Sequence, residues 1–223
     1  MIHDISVVTD RDLVTWEDSE PGFRYEWTSQ IGPDVPANVS VVTVGSHTGT
    51  HLDAPLHFIE TGTSVQSIPL EKLLGPVFVA ELPNTNAVNA LDLENAQIPV
   101  GTKRLILKTR NSIQELIHDT KFHKEYVGVA PSGAQWIVDH AIELVGVDYL
   151  SVGPYGTDNI ATHRILLSAS VVVVEALELT NVPQGIYWLA CLPAKVAHVE
   201  GAPCRAVLID LDTLVADTET MMR

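Results

Sequence analysis

The residues best suited to chemistry stand in one short run, His47-Thr-Gly-Thr-His-Leu-Asp-Ala-Pro-Leu-His57. It gathers His47, His51, Asp53 and His57 into eleven positions behind an apolar run at 39–44. A hydrophobic core has no use for so many imidazoles in one place. All four occupy odd positions, so an extended backbone turns them to one side. Extension alone holds His47 and His51 about 13 Å apart at roughly 3.3 Å per residue, too far for two nitrogens that must each lie about 2.1 Å from one ion. A helix is disfavoured by Thr48, Gly49 and Thr50 and is stopped by Pro55. The remaining geometry is a strand that ends in a sharp bend at Gly49, where a residue without Cβ takes a conformation closed to others. Asp53 then lies two residues beyond His51, close enough to share its ion. Two histidines and a carboxylate suit zinc or manganese and leave a coordination position for water or substrate.

A second carboxylate stands out downstream. Glu175 interrupts Val171-Val-Val-Val-Glu-Ala-Leu177 in the middle of an apolar strand. A buried carboxylate is costly by several kcal/mol unless a metal, a cation or dense hydrogen bonding offsets it. Within the run no basic residue does so. Twelve residues earlier, His163 falls on a helix that should pack beside this strand. Taken alone it reads equally well as a packed helix histidine; beside Glu175 and the upstream run it reads as a further donor.

The run at 47–57 resembles the His-x-Gly-Thr-His-x-Asp-x-Pro-x-His signature of the cyclase family of metal-dependent hydrolases, which includes bacterial kynurenine formamidases and isatin hydrolases. It lacks the pair of histidines one residue apart that a metallo-β-lactamase type of site requires. The resemblance extends to His163 and Glu175 at matching separation, and to the Leu-Pro-Ala-Lys and Gly-Ala-Pro segments near the end. It implies a swivelling β/β/α fold. It also implies one or two ions of zinc or manganese per chain, held by His47, His51 and Asp53 and, in a second site, by Asp53, His163 and Glu175. His57 would be the catalytic proton shuttle and Trp16 a substrate-binding wall, and the chain would form a dimer or tetramer. The expected reaction is hydrolysis of a small aromatic or cyclic amide, with opening or closing of an imide or lactone ring as the alternative. A protein that holds a structural ion without turnover would show a closed ligand shell and would leave His57 without a purpose. One departure concerns specificity: many formamidases of the family carry a second acidic residue where this chain has Gly153-Pro-Tyr-Gly156.

Charge and composition bound the partners. Thirteen basic against 28 acidic residues give a net charge of −15, which argues against nucleic acid or an anionic membrane as partner. No apolar run approaches the roughly 18–20 residues of a membrane span, and the start has no basic stretch ahead of a long apolar one, so the chain reads as cytoplasmic, with a small molecule as its partner. Cys191 and Cys204 are too few for a disulfide framework and read as buried free thiols.

The elements that must position these residues form one domain over 1–223, α/β in class, with a mixed sheet and flanking helices. Strands are expected at 2–8, 23–29, 39–44, 77–82, 103–109, 147–152, 170–177, 185–196 and 202–211. Helices are expected at 68–75, 91–96, 131–145 (with Ser132 as N-cap and Gly146 as stop) and 159–168. Residues 10–20 and 111–127 read as loops, the latter with His118 and His123 in solvent. The last dozen residues read as a frayed or partner-docked tail.

Overall fold

The computed structural model describes residues 1–19 and 22–214. In chain order the strands and α-helices are β1 (Ile2–Asp4), β2 (Phe23–Ser29), β3 (Val39–Val44), β4 (His51–Asp53), α1 (Leu70–Leu73), β5 (Leu74–Leu82), α2 (Ala90–Asn95), β6 (Arg104–Thr109), α3 (Arg110–Ile113), α4 (Pro131–Asp139), β7 (Leu144–Val147), α5 (Thr157–Ser168), β8 (Val172–Glu175), β9 (Gly185–Pro193) and β10 (Gly201–Asp210).

The sheet closes on itself. Its strands follow the order β10-β4-β8-β7-β6-β5-β9, and β9 pairs back onto β10. The strands β5, β6, β7 and β8 run parallel, and the remaining contacts are antiparallel. One edge of β10 carries two short strands, β4 along residues 201–203 and β1 along 207–209. Closure removes the exposed edge that an open sheet of this length would leave.

Side-chain parity divides the fold into two layers. Leu52 of β4, Ile106 of β6, Val172 and Val174 of β8, Leu189 and Cys191 of β9 and Ala206 and Leu208 of β10 fill the barrel interior. The alternate residues Leu105, Leu107, Val145, Val147 and Val173 point outward and pack under α2, α4 and α5. His51 and Asp53 flank the inward Leu52, and Glu175 shares the parity of the outward Val173. All three are therefore turned toward the helical layer, beside the helix that carries His163. Sequence parity alone decides this placement, since a one-residue slip would send them into the barrel.

Several boundaries differ from expectation. The helix expected over 131–145 ends at Asp139, because Ala141 takes a left-handed φ of 56°. Its N-cap is Ala130, with Pro131 at the first helical position in place of Ser132 as cap. Gly146 lies inside β7 and does not stop the helix: a Cβ there would meet Leu177 Cδ1 at 2.7 Å and Ile106 Cγ1 at 3.1 Å. The strand expected at 147–152 is accordingly displaced to Leu144–Val147. Glu175 closes β8, where the sequence places it in mid-strand. The stretch at 111–127 contains α3 and a 3-10 turn, Leu116–His118. The tail at 212–223 lies largely outside the described residues, as do Glu20 and Pro21.

Strands β2 and β3 form a separate two-stranded hairpin. The apolar run at 39–44 is therefore exposed along its whole length and is no part of the barrel.

Candidate metal centre and active site

The bend after β3 brings the donors together. Gly49 takes φ 66°, and a Cβ there would meet Thr9 Oγ1 at 2.4 Å. The chain then enters β4, paired with β8 so that His51 lies opposite Glu175. His163 reaches the same place from α5, which packs against β8. A 3-10 turn, Pro55–His57, begins at a proline and returns His57 to the cluster.

The distances define the site. His47 Nδ1 lies 2.9 Å from Asp53 Oδ1 and His51 Nε2 lies 3.6 Å from the same oxygen. His51 Nε2 is 3.3 Å from Glu175 Oε2, while His163 Nε2 is 3.3 Å from Glu175 Oε1 and 3.8 Å from Asp53 Oδ2. The donor atoms of His47, Asp53 and His57 lie within 4.8 Å of one another, as do those of His51, Asp53 and Glu175. Asp53 thus belongs to both groups. His47 and His51 both approach Asp53 Oδ1, and Glu175 lies against His163 as well as His51.

The hydrogen bonding prepares these atoms for a cation. His51 Nδ1 donates to the carbonyl of Gly49 at 2.8 Å and His163 Nδ1 to that of Asn159 at 2.8 Å. Each ring is thereby fixed with Nε2 toward the carboxylates. Both oxygens of Asp53, with Nε2 of His47 and of His51, are buried without a hydrogen-bond partner among the described residues. Orphaned buried polar atoms are rare, and the two oxygens of Asp53 with His51 Nε2, 3.6 Å from one of them, fit a metal ion as the missing partner; His47 turns its Nδ1 to Asp53 and its Nε2 toward Glu200. Histidine nitrogens with carboxylate oxygens match zinc or manganese in donor type.

Without metal, protons take its place. Burial pulls the His51 imidazolium down, but the close approach of Glu175 at 3.3 Å and the charges of Asp53 and Glu175 outweigh it and raise the pKa to about 9. His163 is raised in the same way. Burial pushes Glu175 up, and the close ion pairs with His163 and His51 overrule it, holding the carboxyl well below its usual range. Glu175 Oε1 also accepts the backbone N–H of Val152 at 2.6 Å. His57 behaves differently: burial lowers its pKa below the ordinary imidazole value.

His47, His57, His163 and Glu175 line a cavity of about 530 Å³ whose walls include Trp16, Phe58, Leu150, Ser151 and Asn159, while His51 and Asp53 are fully buried beside it. Trp16 belongs to a 3-10 turn, Trp16–Asp18, and its ring lies 4.8 Å from Phe122 and 5.9 Å from Tyr155. Tyr155, from the Gly-Pro-Tyr-Gly segment that departs from the formamidase pattern, donates its hydroxyl to Glu17 at 2.5 Å. This segment therefore braces the tryptophan wall. Phe58 stacks on His163 at 4.3 Å. His118 and His123 stay outside the cluster, paired with Glu178 and Asp119.

Glu200 was not legible as part of the site. Its Oε1 accepts from Ser46 Oγ at 2.6 Å and lies 3.3 Å from His47 Nε2. The next residue, Gly201, lies against the His47 ring, where a Cβ would meet Cε1 at 2.7 Å. A carboxylate followed by glycine between two strands was the available signal, and it reads as an ordinary turn.

The family model described as a putative cyclase matches residues 3–154. "Cyclase-like protein 3" of Oryza sativa subsp. japonica is 36% identical over 93% of this chain and 79% of that protein. "Kynurenine formamidase" of Bacillus anthracis is 31% identical over 92% of this chain and 95% of its own length. A solved structure described as a potential metal-dependent hydrolase with cyclase activity superposes with a TM-score of 0.79, at 29% identity, over 93% of this chain and 96% of that one. With the family match spanning more than half of its residues, the chain belongs to the cyclase family.

Proposed function

We propose that the protein is a metal-dependent hydrolase that cleaves the C–N bond of a small aromatic amide, linear as in an N-formyl arylamine or closed into a lactam or imide ring. One observation carries the reading: both oxygens of Asp53 and Nε2 of His51 are buried without a hydrogen-bond partner among the described residues, beside His47, His57, His163 and Glu175, which line an aromatic-walled cavity. Its formamidase-named relatives and hydrolase-named structural neighbour support the same class.

The residues divide the work. His47, His51, Asp53, His163 and Glu175 hold one or two ions, zinc or manganese, and Asp53 is placed to serve both positions. When bound, such an ion lowers the pKa of water and polarises a carbonyl. Trp16 presents a face on which the substrate's ring stacks. His57 is the proton carrier: its depressed pKa leaves an imidazole nitrogen free near neutrality to accept a proton from the attacking water and to pass it to the departing nitrogen.

The reading includes a second copy of the chain and a cytoplasmic setting. The hairpin exposes Tyr25, Trp27, Val42 and Val44 on one face, and a two-stranded hairpin is marginal without cover. The two cysteines, both free, suit a reducing compartment.

The test is a screen of metal-loaded protein against N-formyl arylamines, cyclic amides, imides and lactones. Hydrolysis of an amide, abolished by chelation and restored by zinc or manganese, is the expected result. Turnover that survives complete metal removal would refute the proposal.

A further inference from the structure

The barrel interior holds a pair of groups that the proposed chemistry does not use. Cys191 of β9 and Cys204 of β10 are free thiols with Sγ atoms 3.4 Å apart. In the antiparallel register Cys191 lies opposite Ala206 and Cys204 opposite Pro193. The two are thus diagonal neighbours on one face of the sheet, and both pack in the barrel core. Cys191 is fully buried and Cys204 is partly exposed. Their contact makes them unequal: the interaction between the two sulfurs lowers the Cys204 thiol and raises Cys191. A lowered, partly accessible thiol beside a protonated partner is the arrangement of an attacking and a resolving cysteine.

Cys204 is also tied to the metal cluster through the backbone. Its N–H donates to the carbonyl of Thr50 at 2.9 Å, one residue before His51. Pro203 pairs with His51 and Gly201 with Asp53, and Gly201 supports the His47 ring.

We propose that Cys191 and Cys204 are a redox-modification site that closes to an intramolecular disulfide on reaction with a peroxide, and that closure weakens metal binding by drawing β10 away from β4. In the first step the Cys204 thiolate attacks one peroxide oxygen and the O–O bond breaks. The departing oxygen leaves as hydroxide, takes a proton to become water, and Cys204 becomes a sulfenic acid. In the second step the Cys191 sulfur attacks the Cys204 sulfur, the S–O bond breaks, and a second water leaves with the Cys191 proton. Two thiols lose two electrons and one peroxide is reduced to two waters. The sulfurs must approach from 3.4 Å to a bond of about 2.05 Å. That movement falls on β10 at the residue that anchors Thr50.

The test uses the full chain, reduced, freed of reductant and treated with hydrogen peroxide. Intact mass under denaturing, non-reducing conditions should fall by two hydrogens per chain, with both thiols lost together and recovered with dithiothreitol. Zinc affinity of the oxidised protein should drop on the order of tenfold, the size of effect that groups supporting metal ligands produce. The Cys204→Ser and Cys191→Ala variants should keep their zinc affinity through the same treatment. Oxygen added to one cysteine while the other stays free, or disulfides between chains, would overturn the disulfide assignment. An oxidised chain with unchanged zinc affinity would overturn its coupling to the cluster. Reduced protein that binds no zinc would refute the metal centre instead, because the mass change reads the disulfide by itself.

Discussion

Removing the metal and raising the pH from 6.5 to 9 should destabilise the protein. In the metal-free cluster the positive charge that offsets Asp53 and Glu175 is carried by protons on His51 and His163. The folded His51 pKa is about 9, against an unfolded value of about 6.5. A group raised on folding contributes stability that is fully present below its unfolded pKa and is lost as pH climbs through its folded one. A shift of about 2.5 units at 1.36 kcal/mol per unit amounts to roughly 3 kcal/mol. The raised His51 and the lowered Glu175 describe one ion pair seen from its two sides, so it is counted once. For a chain of this length, 3 kcal/mol corresponds to a fall in Tm of about 6–12 °C. Calorimetry of chelated protein across this range, beside the zinc-loaded protein, measures it. The loaded protein should keep its Tm, because the ion replaces the protons. A flat Tm for the chelated protein, or an equal fall in both, would refute the reasoning.

Other perturbations separate the roles of individual residues. His57→Ala should retain metal and lose about 10²–10⁴-fold in kcat, read by elemental analysis beside steady-state kinetics; loss of the metal would make His57 a ligand. Glu175→Gln keeps an acceptor for the Val152 N–H but removes the charge, so metal content should fall while the fold survives in circular dichroism. Asp148→Ala should cost about 2–6 kcal/mol in denaturant unfolding. It would strand the backbone N–H groups of Thr109 and Ser112, which now donate to its carboxylate at 2.7 and 3.1 Å.

Much of the site was legible because its donors lie close together in sequence. The run at 47–57 holds four of them, and the glycine and proline between them dictate the bend. Glu175 stood out because a carboxylate among valines demands a partner, and its partners proved to be His51 and His163. Glu200 is not legible in the sequence because its contact with Ser46 and His47 spans more than 150 residues of chain, and it carries no local pattern. The fold class was readable from alternating elements, but barrel closure depends on β9 pairing with both β5 and β10, which no single segment encodes. The displacement of β7 has a local cause. Gly146 looks like a helix stop in sequence, and only its packing against Leu177 and Ile106 shows that it is the strand residue allowing close approach. Similarly, the valines at 39–44 signal a strand but say nothing of where it docks.

Calorimetric titration of zinc into chelated protein at pH 7, in two buffers of different ionisation enthalpy, tests the metal centre most directly. About one to two ions should bind per chain, with release of about one to two protons as His51 and His163 give theirs up, and His51→Ala should abolish the tight site. Absence of saturable binding, or binding without proton release that His51→Ala leaves intact, would contradict it.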